Sequence, residues 1–156
     1  MANVKIGSYA SWNSNFIESL STTKQLTRGD SGKIFMVDQS SVAFTVNLPK
    51  VSSDMCGWNC KFYLRAAGSG VVSVVGFGSV AAGGSTLDDH DLMVMQIIAG
   101  DSNDSDSYTA AATGQDGFTF INGAAIGDTV SIFTDGTTWY AEAITAQNAH
   151  VGVIDS

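Results

Sequence analysis

Between Leu87 and Asp91 the chain reads LDDHD, so three carboxylates and one imidazole fall within four positions. Oxygen and nitrogen donors of that kind can hold a divalent cation. Adjacent residues of an extended segment point to opposite faces, however, and the cluster reads as a solvated turn. A second acidic stretch, DSNDSDS, offers Asp101, Asn103, Asp104 and Asp106 with hints of calcium-loop spacing. Such a loop needs glycine at its sixth place and glutamate at its twelfth. Counted from Asp101 those places hold Asp106 and Ala112, and counted from Asp104 they hold Thr109 and Gln115. No metal site is assigned to either stretch.

Cys56 and Cys60, in CGWNC, are spaced too widely for a C-x-x-C redox motif, and no second pair or nearby histidine completes a zinc site. Cys60 falls on the apolar side of its strand and is expected to be a small buried hydrophobe. Arg28, Gly29 and Asp30 repeat the tripeptide that integrins bind, but three residues match by chance, and a turn ahead of a strand accounts for them. His90 and His150 lie in loop-like and tail contexts, with no nucleophile that the sequence can pair with either. Neither a G-x-S-x-G, a Walker loop nor a dinucleotide fingerprint occurs. The expectation is a non-enzymatic protein with no catalytic residue and no cofactor.

Alternation supplies the framework around these residues. In WNCKFYLRA, Trp58, Cys60, Phe62 and Leu64 alternate with Asn59, Lys61, Tyr63 and Arg65, the pattern of a half-buried strand. VAFTVNLP repeats it through Val42, Phe44, Val46 and Leu48 and stops at Pro49. KIFMVD, GVVSVVGF, LMVMQIIAG and FTFI are strand-length and bounded by turn residues. In GDTVSIFTDGTTWYAEA, Val130 and Ile132 precede a turn at Asp135 and Gly136, and Trp139, Ala141 and Ala143 resume the alternation, which predicts a hairpin closing the sheet. Trp58 and Trp139 fall in core phase. Seven or eight strands and almost no helix predict an all-β fold, a single antiparallel sandwich or barrel of jelly-roll type.

Three stretches stand outside this pattern: residues 1–25 read as an extended N-terminal arm, 101–117 as a long loop, and 147–156 as a C-terminal tail, leaving 26–146 as the β-domain. The arm carries spaced apolar residues, among them Val4, Ile6, Trp12, Phe16 and Ile17, which are the candidates for contact with a partner. Trp12 reads equally as an anchor in a partner's pocket and as a lid over the sandwich. No internal repeat of fixed period is evident.

The chain has 156 residues, enough for one domain to fold without staples. Charged residues are only 14% of it, against about 25% in a typical domain. Its formal net charge of -8 would repel a phosphate backbone, so no nucleic-acid partner is expected. No apolar run approaches the ~20 residues of a membrane span, and MANVKIGSYA lacks the basic stretch and apolar core of a leader. The expectation is synthesis in a cytoplasm, no membrane partner and free thiols.

LTRGDSGKIFMVDQSSVAFTVNLP, together with the later GDTVSIFTDGTTWYAEA, resembles a pattern of small virion surface proteins of tailed bacteriophages: Leu-Thr, Asp-Ser-Gly-Lys, two strands and Leu-Pro, then Gly-Asp, a strand, Asp-Gly and Trp-Tyr. The match covers about a quarter of the chain. Arg28 and Gly29 depart from it where small apolar residues are expected. The resemblance implies head decoration proteins, head fibres or tail-fibre modules, usually trimeric. It carries over no catalytic or ligand residue, because Asp30, Ser31, Gly32, Lys33, Asp128, Asp135, Gly136, Trp139 and Tyr140 match as turn and core positions. The length suits a decoration (cement) protein on the outer surface of the phage head, a homotrimer bridging capsomers with its arm docked on the major capsid protein. Alternatives are a receptor- or carbohydrate-binding module of a tail or head fibre, and a cell-surface adhesin-like domain.

Overall fold

A computed structural model describes residues 16–77, 92–100 and 108–155. Their regular structure is β, with three short 3-10 turns and no α-helix among the described residues. The strands are β1 (Ile17–Leu20), β2 (Lys24–Gln25), β3 (Ile34–Asp38), β4 (Phe44–Asn47), β5 (Asn59–Ala66), β6 (Val72–Val75), β7 (Met93–Ala99), β8 (Tyr108–Gln115), β9 (Gly117–Phe120), β10 (Thr129–Thr134), β11 (Trp139–Thr145) and β12 (Val151–Ile154). They form a seven-stranded sheet in the order β1-β3-β5-β10-β11-β7-β8 and a five-stranded sheet in the order β12-β9-β6-β4-β2. The expected sandwich-like architecture is present, but the sheets are mixed where antiparallel ones were expected.

The reason lies in the connections. From β1 to β6 the chain switches sheet at every step, so each strand returns to its own sheet running in the same direction as its predecessor. Hence β1-β3-β5 and β2-β4-β6 are parallel ladders, and the first half of the domain is a flattened coil with two strands per turn. Hairpin connections alone would have made neighbours antiparallel. The hairpin β10-β11 forms as predicted, with Gly136 at φ +93, but it occupies the middle of the larger sheet between β5 and β7 rather than closing it.

Between the sheets the alternating residues fill the core. Phe35 stacks on Phe62 at 5.4 Å, Phe62 meets Phe118 edge-on at 5.7 Å, and Trp58 meets Trp139 edge-on at 5.3 Å. Cys60 is buried and Cys56 exposed, both free, and burial raises the Cys60 thiol well above its ordinary pKa. Of the four alternating residues from Val42 to Leu48, the last three are buried, whereas Val42 is exposed in the turn ahead of β4.

The first turn of the coil is built differently. In register, Glu18 stands where the next turns place Phe35 and Phe62, and Lys24 where they place Val46 and Val74. Glu18 pairs with Lys24 across the mouth of the sandwich and accepts from Lys33 Nζ at 3.0 Å, while Lys24 Nζ lies 5.4 Å from the centre of the Phe35 ring. A polar terminal turn is how a stacked architecture ends in water, and inward-pointing charges also blunt the sheet edge.

Three expected boundaries are corrected. Residues 17–25 belong to the domain as β1 and β2, because β1 supplies a four-residue parallel ladder to β3. The stretch 108–117, read as loop, holds β8 and the start of β9. At this bend the chain passes from one sheet to the other, and a Cβ on Gly117 would stand 2.2 Å from the Val74 carbonyl oxygen, so the crossing requires glycine. The segment after Ala146 is no loose tail either, since β12 pairs with β9 from Val151 to Ile154.

Candidate functional site

The outward face of the larger sheet is mainly apolar or aromatic in two of its three registers. One row across the strands reads Asn59, Phe133, Tyr140, Val94, and the next reads Ile17, Ile34, Lys61, Ser131, Glu142, Gln96. A third reads Ser19, Met36, Tyr63, Thr129, Ile144, Ile98. Ile17 is 60% exposed, Phe133 52% and Ile144 55%. The polar centre of the middle row, Lys61 to Gln96, thus runs between two apolar and aromatic rows.

Local chemistry holds the aromatic pair in place. Phe133 and Tyr140 are cross-strand partners whose rings stack at 5.1 Å and 17°. The Tyr140 hydroxyl donates to Asp135 Oδ2 at 3.1 Å. Asp135 Oδ1 accepts from the Thr137 hydroxyl at 2.7 Å and from the backbone N–H groups of Thr137 and Thr138 at 2.8 Å. These donors, Thr137 foremost, lower the Asp135 carboxyl to a pKa of about 2, and the bond to that carboxylate raises the Tyr140 phenol. Beside the pair, Val94, Gln96, Ser131 and Glu142 complete an open groove of about 330 Å³.

One outward row of the smaller sheet is Thr45, Ser73, Thr119 and Gly152, and the next, Asn47, Val75, Gly117 and Ile154, is mixed, with Val75 buried. Small hydroxyl side chains in the first row present a surface that water already satisfies.

The remaining clusters are structural in their geometry. Asp30 is 6% exposed, accepts from Thr27 N at 2.8 Å and Thr27 Oγ1 at 2.9 Å, and receives Lys33 Nζ at 2.6 Å. Burial alone would raise its pKa, but Lys33 and Thr27 outweigh it and the net shift is downward. The Arg28-Gly29-Asp30 match is therefore a folded 3-10 turn with its carboxylate turned inward, and Arg28 donates to Asp54 Oδ1 at 2.7 Å. His150, expected in a tail, is buried with Nδ1 2.7 Å from Asp128 Oδ2. Asp128 also accepts from Ala125 N and Ala146 N, each at 2.7 Å, tying the turn before β10 to the segment before β12.

Of the predicted contact residues, Phe16 and Ile17 are exposed at the β1 edge, and the Phe16 carbonyl accepts from Ile34 N at 2.6 Å. Val4, Ile6, Trp12, the LDDHD cluster and Asp101 to Asp106 lie outside the described residues. Among the described residues no three His, Cys, Asp or Glu side chains gather to hold a metal ion, and no helix is long and apolar enough to cross a membrane. The outward sheet face does leave a signal in the sequence: LMVMQIIAG and KIFMVD are nearly continuous apolar runs, as in strands with both faces apolar. Comparison with protein-family models and with curated protein sequences finds no match.

Proposed function

We propose that this chain is a non-enzymatic assembly protein of a bacteriophage head, decorating the outer surface of the shell, bridging capsomers and stabilising them. The observation that carries the proposal is the unequal chemistry of the two outer faces: one exposes Ile17, Ile34, Phe133 and Ile144, the other a Thr and Ser row. An apolar sheet face of this extent marks an interaction surface. The home on a phage head rests on the resemblance of residues 26–49 and 127–143 to virion β-domains, and the major capsid protein is the partner proposed for residues 1–15. A protein that binds the shell and not free subunits stabilises the assembled state by mass action.

Co-sedimentation with expanded empty capsids tests this. The truncated comparison must begin at Phe16, so that β1 and its charged turn remain. Saturable binding by the full chain, weakened by removal of Val4, Ile6 and Trp12, is the expected result. Absence of binding by either form would sink the decoration role. The stacked Phe133 and Tyr140 beside Gln96, Ser131 and Glu142 favour a second reading, a glycan-binding face. Binding to a neutral-glycan array that Tyr140→Ala abolishes would replace the first reading by the second.

A further inference from the structure

We infer that the outward face of the seven-stranded sheet binds a second copy of this chain about a twofold axis parallel to β10, with Lys61 of each copy against Glu142 of the other. Lys61 and Glu142 are the two cross-strand neighbours of Ser131, one on β5 and one on β11, so opposite charges flank the central strand symmetrically.

With the axis over Ser131, two ways of laying this face on itself keep the strands of both copies aligned, as packed sheets prefer. An axis parallel to β10 exchanges the β5 and β11 sides, setting each Lys61 over Glu142 of the second copy. The same operation sets Phe133 on Phe133, Tyr63 over Ile144 and Met36 over Ile98, while Ile34 meets Gln96 and Asn59 meets Tyr140. An axis perpendicular to the strands sets Lys61 on Lys61 and Glu142 on Glu142, and like charges brought together out of water oppose it. Charge therefore selects the first arrangement, and a self-complementary patch is what a twofold interface requires. It differs from the threefold association that the resemblance implies.

The size is adequate. The three rows hold 16 positions, and at about 4.8 Å by 7 Å each they cover roughly 540 Å² on each copy. Two copies then bury about 1,100 Å², just above the ~1,000 Å² that a specific interface should clear.

The inference rests on the proposed reading in taking this face as an assembly surface. Its test uses the purified full chain without capsids, so its failure is separable from failure of capsid binding. Sedimentation velocity over a wide concentration range should show monomer passing to dimer. Lys61→Glu and Glu142→Lys should each weaken association at least about tenfold. An equimolar mixture of the two variants should restore it, because both cross-copy pairs are then complementary; that rescue also shows that both variants fold. A chain that stays monomeric, a trimer indifferent to both reversals, or a mixture without rescue would each overturn the twofold pairing, as would a face already covered by residues 1–15, shown by dimerisation only after their removal.

Discussion

Asp128 accepts from two backbone N–H groups and faces His150 while only 2% exposed. A buried acceptor of this kind is expensive to delete, because the donors keep their desolvation cost and lose their partner. Asp128→Ala is expected to cost about 2 to 4 kcal/mol in urea-induced unfolding, and a loss under about 0.5 kcal/mol would refute the clamp. Asp128 was legible in the sequence as part of a Gly-Asp turn motif. His150 was not, since nothing local marks a pairing across 22 positions. Similarly, alternation placed Trp58, Cys60, Phe62, Leu64 and Trp139 in the core, where they are. The stack of Phe133 on Tyr140 needed the hairpin register, which its Asp-Gly turn determines only once the strand ends are known.

At the scale of elements, the charged first turn of the coil sets a pH window. Hydrogen bonds from Lys24 first, and then Lys33, lower the Glu18 carboxyl, and Asp30 is also lowered; Lys33 is raised by Asp30 and then Glu18. Carboxylates with depressed folded-state values stabilise above their unfolded pKa and lose that contribution as pH falls through the folded value. A lysine with a raised value stabilises below its unfolded pKa of about 10.4 and loses its contribution as pH rises through the folded one. Stabilisation by this turn is therefore full between about pH 4.5 and about pH 10. The melting-temperature difference between the native chain and Lys33→Met should be largest near neutrality and shrink on acidification; a pH-independent difference would mean that Lys33 contributes packing alone. Asp135 is common to both chains and drops out of the comparison. None of this turn's role was legible, because period two tells which face a residue takes but not which strand lies beside it. The coil is not legible as a repeat because its steps are unequal, Ile17 to Ile34 being far shorter than Ile34 to Lys61, so no fixed period exists.

For the molecule as a whole, the limits of the domain follow from the same coil. A chain beginning at Phe16 retains both charged residues that close the sandwich mouth, whereas one beginning at Gln25 loses β1 and Lys24 and bares Phe35 and the β3 edge. The first should melt close to the full chain. The second should melt lower and scatter light on concentration, and equal behaviour of the two would show that the first turn is dispensable. Sandwich-like architecture and the hairpin were legible as a whole-chain pattern; strand direction was not, since it depends on long-range connections that a one-dimensional pattern does not record. The central place of that hairpin bears on how the protein is made. A ribosome releases β5 and β6 long before β10 and β9, their partners in the two sheets. Translation at about 5 to 20 residues per second leaves both edges open for some seconds, with parallel strands of the coil behind them and nothing yet to seal them. Nascent chains in that interval are the species on which a chaperone would have to act.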